Sequence, residues 1–254
     1  MIIRKNRSEI ETMAKAGSVV AGTLQLLERH AQAGVTTAEL DELADEFIRS
    51  QGGRPTFKGY KGYPAATCLS ANDMVVHGIP GPTALFDGDI LSVDVGVTLN
   101  GFVADSAWTF PIGAISPEAQ RLLDTCRAAL FAGIEQAVVG NAISDISRAV
   151  QDVTESAGFS VIRSLVGHGV GRSMHEDPQV PNFVSSYRGP ELVEGMTLAI
   201  EPMITAGRPD VHLHDDGWSI STDDGSLTAH FEHTVAITAE GPRVLTKAAP
   251  VLVP

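Results

Sequence analysis

The segment Ile90–Phe110 constrains the fold more strongly than any other part of the sequence. It holds an Asn-Gly pair at 100–101 between two runs rich in β-branched and aromatic residues, which predicts a β-hairpin with a two-residue turn. The register around this turn places Asp94 opposite Ala107. Asp105 lies two residues from Ala107 on the same strand, so its side chain points to the same face as that of Asp94.

The hairpin therefore makes the two aspartates diagonal neighbours, with backbones about 7–8 Å apart. Aspartate is depleted in strands, and Asp94 stands between two valines. Two interpretations stay open. Either both carboxylates face solvent, or they are buried beside each other and a cation compensates the cost of burying two like charges. Carboxylates on such a diagonal can converge on two metal ions about 3.5–4 Å apart.

Composition limits the class of protein. Of 254 residues, 43% are hydrophobic and 19% are charged, which is typical of a globular chain with one large core or two modest cores. No apolar run is long enough to span a membrane, and no apolar signal region follows the basic start. The two cysteines are far apart, which fits a reducing compartment. We therefore expect a cytoplasmic protein without a membrane partner.

The net charge also argues against one kind of partner. It is −13 at pH 7, and an acidic surface repels phosphate backbones, so we expect no sequence-specific nucleic-acid partner. The excess carboxylates are mostly solvated, or a few of them lie inside and hold cations. Composition does not choose between these interpretations, whereas the spacing of individual residues does.

Helix and strand signals alternate twice along the chain. Capping patterns, proline at a first helical position and terminating glycines predict four helices, over approximately 8–31, 36–51, 117–138 and 144–157, the first with a capping box of Ser8 and Glu11. Strands are predicted near 66–70, 90–110, 197–201 and 230–238. The order helix, helix, strands thus occurs in both halves, about 1–110 and 111–254. We predict a single α+β catalytic domain built from two similar halves.

Three further residues have the character of metal ligands. His168 stands at the tip of a glycine-rich segment, 167–171, whose GxGxG spacing and context give only a weak dinucleotide signal. Glu201 ends an apolar strand and precedes a proline, and Glu232 lies inside a predicted strand. Each glutamate alone fits a surface position or a buried salt bridge. Together with the hairpin, the set has four carboxylates and one imidazole, which suits Mn, Fe(II), Co or Zn.

The other histidines carry weaker signals. His30 stands near a predicted helix C-terminus, and His212 and His214 lie in an acidic loop where we expect them to be solvated. His230 and His233 flank Glu232, and we expect them at most to contact the ligands.

The order and spacing of these ligands, together with motifs over nearly the whole chain, identify a family resemblance. The chain resembles the type I methionine aminopeptidases in their short bacterial form. This resemblance implies the pita-bread fold, with a pseudo-two-fold antiparallel sheet core covered by two helix pairs. The segments that carry it are Gly59–Pro64, Val76–Pro80, Asp87–Ile90, Gly167–Gly171, Met174–Glu176, Gly195–Pro202, Asp216–Trp218 and Phe231–Thr234.

The resemblance also implies a two-metal centre that removes the initiator methionine from nascent chains whose second residue is small. His168 and Glu201 would bind one divalent ion and Asp94 the other, while Asp105 and Glu232 would contact both. The ions are expected to be Co, Mn, Fe(II) or Zn. The substrate is expected to be a peptide or nascent protein with a free amino terminus.

Other residues are assigned to catalysis and substrate binding by the same resemblance. Glu201 would also transfer protons, His175 would stabilise the oxyanion, and His77 would contact the scissile nitrogen. The methionine pocket would consist of Phe57, Tyr60, Tyr63, Cys68, His77, Met174, His175 and Trp218. The family usually has a small residue at the position of Phe57 and phenylalanine at that of Met174, so both departures affect the shape of this pocket.

Two alternatives remain on the same fold. One is a proline-specific aminopeptidase or prolidase, and the other is a binding module without catalytic activity. The resemblance suggests a monomer that meets nascent chains at the ribosome. Two small basic spots are available for that encounter, at positions 4–7 and 58–61.

Overall fold

The computed structural model describes residues 1–247, and its elements follow the predicted order. The four helices are α1 (Arg7–His30), α2 (Thr37–Ser50), α3 (Pro117–Glu135) and α4 (Ile143–Ser156). The strands are β1 (Arg54–Pro55), β2 (Cys68–Ala71), β3 (Met74–Val76), β4 (Ile90–Leu99), β5 (Phe102–Pro111), β6 (Ser160–Val161), β7 (Gly167–Gly169), β8 (Glu176–Val180), β9 (Thr197–Ile200), β10 (Met203–Thr205), β11 (Val211–Leu213), β12 (Ile220–Thr222), β13 (Thr228–His230), β14 (His233–Thr238) and β15 (Gly241–Val244).

The helix starts follow the local capping chemistry. The side chain of Thr36 accepts from the amide of Glu39, and the Glu39 carboxylate accepts from the backbone of Thr36, as predicted for α2. The predicted start of α1 is wrong by two residues. Asn6, rather than Ser8, is the N-cap, and it forms the capping box with Glu9. Asparagine is as good a cap as serine, so the sequence offered two overlapping capping patterns.

The hairpin has the predicted register. Asp94 pairs with Ala107 across β4 and β5, and Asn100 and Gly101 form the turn with φ of 51° and 80°. The valines at 93, 95 and 97 are buried in one hydrophobic cluster with α1 and α2. Because side chains alternate along a strand, Asp94 is directed to the opposite face of the sheet. This alternation explains how an aspartate stands between two core valines.

Two helix pairs cover the antiparallel sheets. Strand β4 pairs with β5 on one side and with β1 and β2 on the other, and α1 and α2 pack against this hairpin. In the other half, the sheets β15-β14-β9-β7-β8 and β13-β10-β6 share a core with α3 and α4. Each half therefore buries its own helix pair, in agreement with the predicted fold class. A further hydrophobic cluster lies between the halves and includes Phe57, Tyr63, Cys68 and Met174.

Several predicted boundaries are wrong where tertiary contacts decide them. The third helix ends at Glu135 instead of about 138. The predicted strand 230–238 is broken into β13 and β14, so Glu232 lies between two strands instead of inside one. His168 belongs to β7 and pairs with Ala199 of β9, and is not at the tip of a loop. A strand break and a short three-residue strand leave almost no periodic signal in the sequence.

Two expectations about surfaces can also be compared with the structure. Among the described residues, no helix is long and apolar enough to cross a membrane. The basic spot at positions 4–7 is smaller than expected, because Lys5 is buried and pairs with Glu176. Lys58 pairs with Asp45 at the surface.

Candidate metal centre

The residues singled out in the sequence meet in one pocket between the two halves. This cavity has a volume of about 250 Å³, and all of the predicted metal, catalytic and methionine-pocket residues line it. The predicted residues are Phe57, Tyr60, Tyr63, Cys68, His77, Asp94, Asp105, His168, Met174, His175, Glu201, Trp218 and Glu232. Five lining residues had not been predicted, namely Lys61, Val76, Leu165, Val166 and Met203. Four of these are apolar and carry no chemical signal that distinguishes them from core residues.

The hairpin supplies two of the carboxylates. Asp94 and Asp105 lie on the same face, on adjacent strands, as the register requires. Asp105 is buried, and Asp94 is partly exposed to the pocket although its Oδ1 is inaccessible. Gly96, which pairs with Asp105 across the hairpin, leaves room for Phe57, since a Cβ at Gly96 would lie 2.7 Å from the Phe57 ring. The hairpin thus shapes one wall of the pocket as well as supplying ligands.

His168 presents one ring nitrogen to the carboxylates. Its Nδ1 lies 2.8 Å from the carbonyl oxygen of Gly169, which can only accept, so Nδ1 carries the proton. The unprotonated Nε2 then lies 3.4 Å from Glu201 Oε1 and 3.9 Å from Asp105 Oδ2. A backbone carbonyl that fixes the tautomer in this way is a common arrangement behind metal-binding histidines.

Backbone contacts hold the two glutamates in place. The amide of Glu232 donates to the carbonyl of Ala107 at 2.8 Å, and Ser106 Oγ donates to the carbonyl of Glu232 at 2.5 Å. The carbonyl of Glu201 accepts from the side-chain amide of Asn182 at 2.9 Å. The position of Glu232 in the site therefore depends on backbone contacts with β5 of the other half. The sequence around Glu232 contains no sign of these contacts.

Burial of so many carboxylates has strong electrostatic consequences. Burial raises the pKa of Asp94 to about 7. It also raises the pKa values of Asp105, Glu201 and Glu232 well above their usual range, with neighbouring carboxylates adding repulsion. Burial lowers the pKa of His168 to about 4, so its ring is neutral at pH 7. Anionic carboxylates and a neutral imidazole in this cavity are stable together only if a cation compensates the charge.

The geometry fits a divalent metal ion. Ligand atoms of Asp105, His168 and Glu232 all lie within 4.8 Å of one another. Three buried carboxylate oxygens have no hydrogen-bond partner, one each on Asp94, Asp105 and Glu232. Unpartnered buried oxygens are rare in folded proteins, and a metal ion is an accepted reason for them. The donor set of oxygen and imidazole nitrogen without thiolate suits Mn, Fe(II), Co or Zn.

His175 and His77 face the pocket beside the carboxylates. The hydroxyl group of Tyr60 lies 2.9 Å from Nδ1 of His175, and the two rings stack with centroids 5.5 Å apart. His77 has φ of 59°, an uncommon conformation for a residue with a Cβ, and its ring packs edge-on to Trp218. Burial lowers the pKa of both histidines, so both are neutral at pH 7.

The remaining wall of the pocket is apolar and aromatic. Tyr63 and Trp218 pack edge to face with ring centroids 5.1 Å apart, and Tyr63 donates to the carbonyl oxygens of Thr67 and Gly78. Cys68 and Met174 are buried in the same cluster. This wall can accept an unbranched apolar side chain, with polar groups confined to the carboxylate end.

His230 lies beside a predicted ligand, as the sequence expectation for this residue allowed. Nε2 of His230 lies 3.7 Å from Glu201 Oε2 and has no hydrogen-bond partner. Burial lowers its pKa to about 3. In the sequence, the only sign that His230 belongs to the site is its position near Glu232. Its contact with Glu201 depends on the pairing of β10 with β13.

Comparisons with known proteins agree with this site. A model of metallopeptidase family M24 matches residues 11–239. A methionine aminopeptidase of Clostridium perfringens is 52% identical over 246 residues, which cover 97% of this chain and 99% of the relative. The crystal structure of methionine aminopeptidase from Thermotoga maritima has a TM-score of 0.95 and 44% identity, covering 97% of this chain and 100% of the other.

A more distant similarity concerns the fold alone. Prolidase from Pyrococcus furiosus has a TM-score of 0.80 and 21% identity, with 97% of this chain covering 66% of that protein. The fold is therefore shared beyond the family, whereas the methionine aminopeptidase of Clostridium perfringens shares about half of its residues with this chain over nearly full length. Both the sequence and the structural relatives confirm the resemblance and the predicted fold. The chain belongs to the methionine aminopeptidases of metallopeptidase family M24.

Proposed function

We propose that this chain is a methionyl aminopeptidase that removes the N-terminal methionine from peptides and proteins whose second residue is small. The observation that carries the proposal is the single pocket in which a cluster of buried carboxylates and His168 lies beside an apolar, aromatic wall. The carboxylates fit metal ions, and the apolar wall fits an unbranched side chain such as methionine. The family membership supports the same activity.

The ligand positions support two divalent ions. His168 and Glu201 would hold one ion and Asp94 the other, with Asp105 and Glu232 shared between them. Ions in this position would lower the pKa of a water molecule and polarise the first peptide carbonyl. Asp94 lies next to the apolar wall, because it pairs with Cys68 across β2 and β4. A free amino terminus would therefore be held at the Asp94 side.

Glu201 and the two neutral histidines of the pocket would move protons and stabilise charge. Besides holding an ion, Glu201 would carry a proton from the attacking water to the departing amine. His175 would donate from Nε2 to the carbonyl oxygen of the substrate, because Tyr60 can donate to its Nδ1 and fix this tautomer. His77 would contact the scissile nitrogen from the wall that holds Trp218.

The pocket wall would select methionine at the first position. Phe57, Tyr60, Tyr63, Cys68, His77, Met174, His175 and Trp218 would form this part of the site. Phe57 fills the space above Gly96, and Met174 replaces a rigid ring by a flexible thioether. Together they would keep the pocket narrow but adaptable.

The decisive experiment is methionine release from Met-Ala-Ser by metal-stripped protein, titrated in turn with Mn, Co, Fe(II) and Zn. We expect metal-dependent release, with little activity on Met-Leu-Ser or on Ala-Pro peptides. Asp105→Asn, purified in parallel, controls for contaminating peptidases. Preference for Ala-Pro would favour a prolidase-like activity, and folded protein inactive with every metal would favour a binding module.

The proposal also includes the compartment, the oligomeric state and the ribosome contact of this protein. The protein would act in the cytoplasm as a monomeric single domain on chains that emerge from the ribosome. Exposed Arg4 and Arg7 and the spot at Lys58 and Lys61 are the available basic contacts. Sedimentation with translating ribosomes, compared with an Arg4→Glu, Arg7→Glu variant, would test this contact, and elution as a dimer would contradict the monomer.

A further inference from the structure

The loop that carries His175 is tied to the N-terminal segment of the chain. This loop, residues 171–176, connects the region of β7 with β8 and brings Met174 and His175 into the pocket. It contains no helical or strand hydrogen bonding of its own between 171 and 175. Its shape therefore depends on contacts from elsewhere in the fold. The amide of Val103 in β5 donates to the carbonyl of Gly171, and the N-terminal segment before α1 supplies further contacts.

Lys5 and Glu176 form a buried ion pair at the base of the loop. Nζ of Lys5 lies 2.5 Å from Glu176 Oε2, and the two side chains are only 3% and 5% exposed. The other oxygen, Oε1, accepts from the backbone amides of Arg172 and Ser173 at 2.8 and 3.1 Å. The carboxylate of Glu176 thus binds the ammonium group of Lys5 and the two loop amides at the same time. His175 lies between Ser173 and Glu176 in the sequence.

The position of Lys5 is itself fixed by backbone contacts. Its amide donates to the carbonyl of Gly195 at 2.7 Å, and Nζ also donates to the carbonyl of Ile3 at 3.0 Å. A Cβ at Gly171 would lie 2.2 Å from Cε of Lys5, so the glycine makes room for the lysine stem. These contacts place the ammonium group between the carbonyl of Ile3 and the carboxylate of Glu176.

A second ion pair supports the same loop from helix α1. Arg172 donates to Glu9 Oε1 at 2.8 Å, and its guanidinium group lies over the ring of Phe102 at 4.5 Å. Unlike Lys5, Arg172 is exposed, so this pair is screened by solvent. The buried pair is therefore the stronger of the two constraints on the loop.

We propose that Lys5 is a positioning residue for catalysis, which acts through Glu176 on the His175 loop. Without the ammonium group, Glu176 is a buried carboxylate with no cation, and it turns toward solvent and releases the amides of Arg172 and Ser173. His175 then loses its fixed position over the substrate carbonyl. This inference rests on the proposed function of His175. It adds Lys5, which is far from the metal ligands in the sequence, to the residues that position the catalytic groups.

Kinetics of Lys5→Met test the inference directly. The substitution removes the charge and keeps an unbranched apolar stem. We expect kcat for Met-Ala-Ser to fall by roughly tenfold to a hundredfold, with KM and metal stoichiometry nearly unchanged, because misplacement by about 1 Å has effects of this size. Unchanged kcat in the folded variant would overturn the proposal.

A double-mutant cycle separates positioning from general damage. In a His175→Ala background, Lys5→Met should lower kcat by less than about twofold, because its effect passes through the missing imidazole. An equal loss in both backgrounds would show a merely structural role. In Lys5→Met, Glu176→Gln, the amide oxygen can still accept from Arg172 and Ser173 without a buried charge, so kcat should recover partly.

Hydrogen exchange gives a test that needs no turnover. The amides of Arg172 and Ser173 should exchange faster in Lys5→Met than in the unmodified protein. Arg243→Met is the matched control, because Arg243 forms an equally short but exposed ion pair with Glu11 and should leave these amides unchanged. If these amides exchange faster in Lys5→Met but the unmodified protein has no peptidase activity, only the proposed function is rejected. If their exchange is unchanged in folded Lys5→Met, the role of Lys5 is rejected.

Discussion

The hydroxyl group of Thr234 bonds both backbone groups of Asp105. It accepts from the Asp105 amide at 2.9 Å and donates to the Asp105 carbonyl at 2.8 Å. Thr234 belongs to β14 and Asp105 to β5, so one side chain joins the two halves directly at the candidate ligand. The position of the Asp105 carboxylate depends on this contact as much as on the hairpin.

Replacement of Thr234 by valine should therefore weaken both the fold and the metal site. The change keeps the shape but leaves a buried amide and carbonyl without partners, at a cost of about 1–3 kcal/mol in the free energy of unfolding. Metal affinity should fall by roughly tenfold to a hundredfold, as for other contacts behind ligands. Urea denaturation and metal titration measure the two effects.

Two variants serve as controls for that prediction. Thr234→Ser keeps the hydroxyl and should retain metal affinity. Thr154→Val removes a buried hydroxyl that bonds only within α4, so it should cost stability without changing affinity. Equal metal affinity in Thr234→Val and the unmodified protein would contradict the role given to Thr234.

Metal removal should make stability strongly dependent on pH above about 6.5. Burial holds the pKa of Asp94 near 7 and raises those of Asp105, Glu201 and Glu232 well above their usual range, while unfolded carboxyls titrate near 4. The folded state thus binds protons that the unfolded state has released, and its stability falls as pH rises by about 1.4 kcal/mol per pH unit for each such proton.

The pH window is set by the histidines. Below about pH 6.5, buried neutral histidines such as His168 and His230 favour the opposite trend, because their folded pKa values are lowered. Between pH 6.5 and about 8 the carboxylates dominate, because unfolded cysteine thiols titrate near 8.5 and the buried thiols of Cys68 and Cys126 add to the trend only above that range. Melting temperatures in chelator should fall across this range and should change little when Mn is present. A flat profile in chelator would contradict the buried carboxylate cluster.

Asp105→Asn should separate metal binding from stability. A neutral amide cannot replace an anionic ligand shared by two ions, so metal affinity should fall by more than about a hundredfold, which exceeds the effect of changing contacts behind ligands. The metal-free variant should nevertheless be more stable at pH 8 than the metal-free unmodified protein, because asparagine is buried without a charge and without the uptake of a proton. Calorimetric titration and melting in chelator give both results.

His175→Ala should leave metal binding intact while slowing turnover. His175 contacts Tyr60 and the ring of His168 but supplies no ligand in the proposed arrangement. We expect kcat to fall by roughly a hundredfold, as for the loss of one donor to an oxyanion. Tyr60→Phe should have a smaller effect of the same kind. Loss of metal from His175→Ala would show that the role assigned to it is wrong.

Local chemistry explains which parts of the fold were predictable. The Asn-Gly turn determines its own register, so the shared face of Asp94 and Asp105 followed from sequence alone. Contacts between the halves were not predictable. Glu232 is held by Ser106 and Ala107, which are more than a hundred residues away, and its strand break has no periodic signature.

In the candidate site, too, some features are predictable from the sequence and others depend on contacts between distant residues. The structure brings every site residue predicted from the family resemblance into one pocket, whereas the chemical role of each residue stays a prediction. Lys5 was interpreted as part of a surface basic spot, because a single lysine before a helix carries no sign of burial. Its partner Glu176 lies 171 residues away, so only the folded chain reveals the pair.

The two halves of the chain also divide the predicted metal ligands between them. Asp94 and Asp105 come from the hairpin of the first half, and His168, Glu201 and Glu232 come from the second. In the proposed arrangement, a chain whose second half is not yet folded would have only the two aspartates and no complete metal site. Peptidase activity would then appear only after both halves have folded.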